Sequence, residues 1–284
     1  MLMSVDSTRF KVQVNAIKIT SSNVILDMDS GIVESLKDGV RNIQFNNPKR
    51  KNAISTSTYL KVAEILNEDA SNDEVVATIF TGTGEYFTSG NDISGGLKKF
   101  DDLDAAIANS VSAYEAMAEA LIQYPKLLVV LVNGPAIGVG VTMCGLCDLV
   151  YATENATFST PFVKLGLTIE AGASVLFPKI MGRTKANEML LFGKTFTAQE
   201  AFQANLVSRV IPQGDIGSFV EDLHKKIGKL NMVGFVNNKN LMKDSIQKDL
   251  LDTFYREGNY LRKALKSENF MNNMLLFMNR KSKL

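Results

Sequence analysis

Leu127-Leu128-Val129-Val130-Leu131-Val132 runs directly into Asn133-Gly134-Pro135-Ala136-Ile137-Gly138-Val139-Gly140. The first six residues read as a buried strand, and the glycines that follow mark a tight turn at its end. A second apolar run, residues 75–80, precedes a second turn of the same kind, Thr88-Ser89-Gly90-Asn91-Asp92. Glycine admits left-handed backbone and lets a ligand approach main-chain N–H groups closely. Two such turns side by side can aim two N–H donors at one oxygen. That is an oxyanion hole, usually the largest single contribution to catalysis at an acyl group.

Working outward, strands alternate with helices. Residues 24–28 and 40–45 alternate around Asp29-Ser30-Gly31 and Lys37-Asp38-Gly39, which suggests a hairpin or meander, and Pro48 stops the ladder. Tyr59, Val62, Ala63 and Leu66 recur at helical spacing, as do the apolar residues of 103–124. Residues 149–151, 156–158 and 206–211 read as further strands. Residues 173–180, 185–192 and 198–204 read as helices, with Thr184 and Thr197 as caps. The pattern implies an α/β fold with three parts: an N-terminal arm over residues 1–22, an α/β core over 23–214, and a helical region over 215–284.

The chain has 284 residues, 45% hydrophobic and 21% charged, with a net charge of +1, which is ordinary for a globular protein. Near-neutral charge gives no field for nucleic acid or a membrane surface. Two cysteines make no disulfide framework and fit a reducing compartment. No apolar run approaches the ~18 residues of a membrane span, and the N-terminus lacks the apolar core of a secretory signal. The sequence ends in Ser282-Lys283-Leu284, the tripeptide read by the peroxisomal import receptor.

Nucleotide cradles do not fit the glycine turns. Gly138-Val139-Gly140 opens a G-x-G, but Met143 stands where the third glycine would be, and no phosphate-binding loop occurs. The flanking residues carry more. In order they are Asn47-Pro48, Asn52-Ala53, Phe87-Thr88-Ser89-Gly90-Asn91-Asp92, Pro125-Lys126, Asn133-Gly134-Pro135-Ala136, Cys147-Asp148, Ala156-Thr157-Phe158, Gly166-Leu167 and Leu206-Val207. This series resembles the crotonase (enoyl-CoA hydratase/isomerase) superfamily over about residues 40–211. With Glu170, residues 177–181 and the terminal tripeptide, it is most similar to the peroxisomal Δ3,Δ2-enoyl-CoA isomerases.

The resemblance implies a crotonase-like spiral of ββα units with a helical C-terminal region, assembled as a homotrimer or a dimer of trimers. It implies an acyl-CoA thioester as substrate, with CoA as part of the substrate and no further cofactor or metal. The main-chain N–H groups of Asn91 and Val139 would form the oxyanion hole. Ser89, Gly90, Asn91, Asp92 and Ile93, with Gly138 and Val139, would line the acyl-CoA site.

Hydratases of the superfamily use two glutamates, at positions where this chain has Thr142 and Phe162. Without them water cannot be activated in the hydratase manner. Glu170 sits where the peroxisomal-type isomerases place their catalytic glutamate. Moving a double bond by one position needs one base, which takes a proton from C2 and returns it at C4. Apolar Leu167, Ile169 and Phe162 would raise that glutamate's pKa toward the working pH. The bland alternative for Glu170 is a helix-start carboxylate favoured by the macrodipole. Hydration, dienoyl-CoA isomerisation and a non-catalytic acyl-CoA-binding role stand as the alternatives for the chain as a whole.

Other residues point elsewhere. Lys49-Arg50-Lys51 is a solvated loop or a contact for CoA phosphates, Lys49 among them. Cys144-x-x-Cys147 lacks a second ligand pair and reads as small core residues on a helix. His224, the sole histidine, reads as a solvated position in the helical tail. Asp92 and Asp148 read as turn and cap residues, and residues 269–280 as an amphipathic end helix.

Overall fold

The computed structural model describes residues 24–92 and 102–281. The expected arm over 1–22, Ile93 and the Ser282-Lys283-Leu284 tripeptide lie outside the described residues.

Three antiparallel strands open the chain: β1 (Val24–Asp27), β2 (Ile32–Lys37) and β3 (Val40–Phe45). The meander expected from the alternation is present, with β2 as its middle strand. Helix α1 (Thr56–Ser71) follows. It is capped by Ser55, whose hydroxyl accepts from the Thr58 N–H while the Thr58 hydroxyl accepts from the Ser55 N–H. Strand β4 (Ala77–Gly82), helix α2 (Leu103–Gln123) and strand β5 (Leu127–Val132) come next. Val75 stays outside β4 because its N–H closes a turn onto Asn72 O at 3.0 Å.

The chain continues through β6 (Ala136–Ile137), the single turn α3 (Val139–Thr142), β7 (Leu149–Thr153), β8 (Thr157–Ser159) and the single turn α4 (Phe162–Leu165). Then come α5 (Ala173–Met181), α6 (Arg183–Leu190), β9 (Phe196–Thr197), α7 (Ala198–Gln203) and β10 (Arg209–Ile211). The last elements are the helices α8 (Ile216–Ile227), α9 (Met232–Asp244), α10 (Gln247–Leu265) and α11 (Glu268–Lys281).

The main sheet runs β1-β2-β3-β4-β5-β7-β10, parallel from β3 onward. A small sheet, β6-β8-β9, stands beside it. Strands β4 and β5 are buried along their whole length because both faces are covered. Phe80, Leu128 and Val130 face the core shared with α1 and α2, while Ile79, Leu127 and Val129 meet Leu223 and Ile227 of α8. Helix α9 is tied to the sheet by Lys239, whose Nζ donates to Lys126 O and Asp148 Oδ2, each at 2.6 Å. Asp148 also accepts the Leu128 N–H, so it bridges helix and strand as well as turning the chain. Among the described residues, no helix is long and apolar enough to cross a membrane.

Four local expectations are corrected. Thr184 does not cap α6: the helix starts one residue earlier, behind Gly182, with no side-chain cap. Thr197 does cap α7, in a box with Glu200. His224 is half-buried, not solvated. Desolvation pushes its pKa down, and its Nε2 is buried without a hydrogen-bond partner. Cys144 lies on a 3-10 turn after α3 and Cys147 ends that turn. The strand expected over 206–211 shortens to Arg209–Ile211, because the Leu206 and Val207 N–H groups turn back to Ala201 O.

Candidate active site

Both glycine turns are built from the sheet outward and meet. Segment 88–92 is bridged on two sides. The Thr88 N–H donates to Pro135 O at 3.3 Å, and the Ile137 N–H donates to Thr88 O at 3.1 Å. On the other side the Ile54 N–H donates to Gly90 O at 2.9 Å and the Asp92 N–H to Ile54 O at 2.8 Å. In a parallel bridge of this kind the middle residue, Asn91, turns its own N–H away from Ile54. Gly90 has φ +83, and a Cβ there would stand 2.7 Å from Ile137 O. The two turns therefore touch at a point where only hydrogen fits.

Two buried asparagines fix these turns. The Asn52 carboxamide donates to Thr83 O at 2.9 Å and Tyr86 O at 2.7 Å, and its oxygen accepts the Asn47 N–H at 2.9 Å. The Asn133 oxygen accepts the Gly82 N–H at 2.8 Å, while its amide donates to Gly84 O at 2.9 Å. Spacing gave no sign of either role, which depends on loops that meet across the fold.

Val139 is the first residue of α3, after Gly138 at φ +58 and ψ −120. The Val141 and Thr142 N–H groups return to Gly138 O, as in any first helical turn. Among the described residues, no acceptor meets the N–H of Asn91 or of Val139.

Glu170 lies in the loop between α4 and α5. Its Oε1 is 3.5 Å from the Thr142 hydroxyl, whose one hydrogen is shared between that oxygen and Val139 O at 3.3 Å. Helix α3 thus carries Val139 at one end and a contact to Glu170 at the other. Glu170 is half-buried as a residue, yet its carboxyl is surrounded by enough protein to be pushed up to about 8. Desolvation is the largest cause, the negative charge of Glu257 adds to it, and the Thr142 hydroxyl opposes it. Leu167 and Ile169 pack on the main core, and the buried Phe162 ring lies 3.9 Å from where a Gly138 Cβ would be. The helix-start reading of Glu170 does not fit: α5 begins at Ala173, and its first amides are capped by another residue.

That residue is Glu257 of α10, which the sequence did not reveal. The Gly172 N–H donates to its Oε2 at 2.7 Å and the Ser174 N–H to its Oε1 at 3.1 Å. The Ala171 N–H donates to the Tyr114 hydroxyl of α2 at 2.5 Å. A signal existed in the sequence: Glu170-Ala171-Gly172 opens a helix without a Ser, Thr, Asp or Asn cap, so its amides need partners from elsewhere.

The basic run lies beside segment 88–92. Ser89 is half-buried; its N–H donates to Lys51 O at 2.8 Å and its hydroxyl to Arg50 O at 3.3 Å. Arg50 pairs with Asp92 at 2.7 Å, and Lys51 sits 4.8 Å from the centre of the Tyr86 ring. Lys49 is exposed on the 3-10 turn Pro48–Arg50. Cys144 is packed in the core, where burial pushes its thiol up to about 12. Among the described residues, no group of three or more His, Cys, Asp or Glu is arranged to hold a metal ion.

Two surface hollows lie away from this region. One, of about 380 Å³, is lined by Thr184, Asn187, Glu188, Leu191 and Phe192. The other, of about 360 Å³, lies between α9 and residues 73–76. Neither contains a residue of the glycine turns or of the Glu170 loop.

The family model described as Enoyl-CoA hydratase/isomerase matches residues 35–283. "Enoyl-CoA delta isomerase 3, peroxisomal" of Mus musculus is 43% identical over 200 residues, 70% of this chain and 63% of that protein. "Enoyl-CoA delta isomerase 2" of Rattus norvegicus is 39% identical over 254 residues, 89% of this chain and 65% of that protein. The chain spans less than two thirds of the length of these relatives. A solved structure of an enoyl-CoA hydratase/isomerase from Pseudoalteromonas atlantica T6c superimposes with a TM-score of 0.80 at 29% identity, covering 88% of this chain and 97% of that one.

Proposed function

The chain belongs to the enoyl-CoA hydratase/isomerase family, and we propose that its reaction is the conversion of 3-enoyl-CoA to trans-2-enoyl-CoA. Membership alone leaves hydration and isomerisation both open, since the family's description contains both. The choice is carried by Glu170, whose carboxyl reaches the Thr142 hydroxyl, while the neighbouring carboxylate, Glu257, is taken up by the Gly172 and Ser174 amides; by the resemblance, Thr142 and Phe162 stand where a hydratase would have its glutamates.

In this reading the thioester oxygen accepts from the Asn91 and Val139 N–H groups. Their pull acidifies the C2 proton, and ionised Glu170 removes it. The C2–H electron pair becomes the C1–C2 bond of a dienolate, and the negative charge rests on the held oxygen. Protonated Glu170 then returns the proton at C4. The C3–C4 double-bond electrons form the new C4–H bond, the C1–C2 double-bond electrons shift to C2–C3, and the pair on the held oxygen reforms the thioester carbonyl. No proton is gained or lost overall. A carboxyl with a pKa of about 8 suits a group that must act first as base and then as acid.

The acyl-CoA site includes Ser89, Gly90, Asn91, Asp92, Gly138 and Val139 in this proposal, with Ile93 beyond the described residues. Exposed Lys49, beside this segment, offers a cation to the CoA phosphates. The mouse relative's printed name supports a peroxisomal location, which import of a tagged chain with and without Ser282-Lys283-Leu284 would test. The reading also includes assembly as a homotrimer or a dimer of trimers, measurable by light scattering.

The test is direct. Purified protein is mixed with 3-hexenoyl-CoA and the absorbance of the conjugated enoyl thioester is followed. Glu170→Gln is expected to remove the signal while leaving ligand binding intact. A variant that keeps most of the activity would remove Glu170 from the mechanism, and fast hydration of a 2-enoyl-CoA would support the hydratase reading instead.

A further inference from the structure

Glu257 is a buried carboxylate with 7% of its surface exposed, and it lies on the core-facing side of α10 beside Phe254 and Leu261. Among the described residues it makes no salt bridge within 4.0 Å. Both of its oxygens accept instead from the Gly172 and Ser174 amides, at the end of the loop that carries Glu170. Burying an unpaired charge is expensive, and a neutral side chain could cap the same amides at lower cost. The carboxylate therefore sits where it does at some expense to the fold, and its charge bears on Glu170.

We propose that Glu257 is a positioning residue for the Glu170 shuttle: it clamps the amides behind Glu170 so that the carboxyl faces α3, and its charge opposes the charge that Glu170 takes up as a base. The inference rests on the reading of Glu170 given above. Ala171 takes φ +58, a left-handed conformation that alanine seldom holds without such anchors, and Gly172 follows it at φ +71. The Tyr114 hydroxyl supplies the third anchor, on the Ala171 N–H.

The groups facing the two carboxyls are few. Glu170 is faced by Tyr59 of α1, Tyr114 of α2, Thr142 of α3 and Glu257 of α10. Glu257 is faced by Arg256, Tyr114, Glu170 and the amides it caps. Both tyrosines are held neutral by burial, which raises their pKa values well above the ordinary one. Burial raises the Glu257 carboxyl as well, against the pull of the Ser174 and Gly172 hydrogen bonds; ionised, it is a negative charge set against Glu170, and its removal makes Glu170 easier to ionise.

The experiment uses the full chain with 3-hexenoyl-CoA, from roughly pH 6 to pH 10. For Glu257→Gln we expect kcat to fall about tenfold or more, because the loop loses a two-oxygen clamp. KM should stay within about twofold, and the acid limb of kcat/KM should move down by about one pH unit. Glu257→Asp keeps the charge but shortens the reach, so kcat should fall while the limb stays in place. A purely structural cap would leave the limb unmoved in both variants. Glu257→Gln with an unmoved limb, or with wild-type kcat, overturns the proposal. If Glu257→Gln does not fold, Glu257→Asp decides through kcat read beside Tm: kcat lowered at the parent's Tm and KM supports the positioning role, and full kcat, or a loss of kcat that only follows a fall in Tm, overturns it. Glu170→Gln is the control. If it is active, the shuttle reading itself fails; if it is inactive while the Glu257 limb is unmoved, the failure belongs to the Glu257 inference alone.

Discussion

Gly90 has no room for a methyl group. At φ +83, with Ile137 O 2.7 Å from an added Cβ, alanine must push the two turns apart and strain the backbone as well. If these turns present the Asn91 and Val139 amides to one oxygen, Gly90→Ala should lower kcat by about a hundredfold or more, the scale of losing one oxyanion donor. Circular dichroism should show the fold retained; wild-type kcat in a folded variant would contradict the arrangement. Glu170 makes a second prediction. An acid whose pKa is raised on folding costs the folded state more as it ionises. Stability contributed by its neutral form is complete below the ordinary value near 4.5 and is lost as pH rises to about 8. Glu170→Gln cannot ionise, so its Tm should exceed that of the parent at pH 8 and match it near pH 5, and its gain in unfolding free energy at pH 7 should be no more than about 3 kcal/mol. An equal difference at both pH values would show that the carboxyl is not so perturbed. The turn at Gly90 stood out in the sequence through its glycine, whereas Glu170 stood out only through the family resemblance. Glu257 and Tyr114 did not, because their partners lie 85 and 57 residues away.

At the scale of elements, legibility followed locality. Thr197 announced its helix because the cap and its third residue lie within one turn; the cap at Ser55, equally local, was not read. Strands β4 and β5 were visible as apolar runs. Helix α5 offered no such mark, since its cap comes from α10. Single-turn helices such as α3 and α4 left no period to detect. Asn52 belongs to the same class of long-range support. Asn52→Ala would strand the carbonyls of Thr83 and Tyr86 and the Asn47 amide inside the protein. A loss of about 2–3 kcal/mol in urea unfolding is expected, with kcat reduced because the 88–92 segment loses its anchor. Unfolding at the parent's midpoint would contradict that role.

At the scale of the whole molecule, the α/β core carries the glycine turns and the C-terminal helices hold the loop that bears the carboxylate. Helix α10 packs on α2 and α5, with Phe254 against Tyr114 at 6.0 Å between ring centres, and α9 is locked to the sheet through Lys239. The helical character of this region was plain from the sequence. Its docking against residues 166–174 was not, because amphipathic faces say that a helix is covered without saying by what. Among the described residues, sheet and helices bring the Glu170 carboxylate against α3, and the central proposal is that this single group takes the proton from C2 and gives it back at C4. The most direct measurement uses 3-hexenoyl-CoA deuterated at C2 and follows label in the product by mass spectrometry and NMR. The one-base account predicts that deuterium from C2 appears at C4 of the trans-2-enoyl product. Product whose C4 proton comes wholly from solvent, with no label transferred at any stage of turnover, would contradict it.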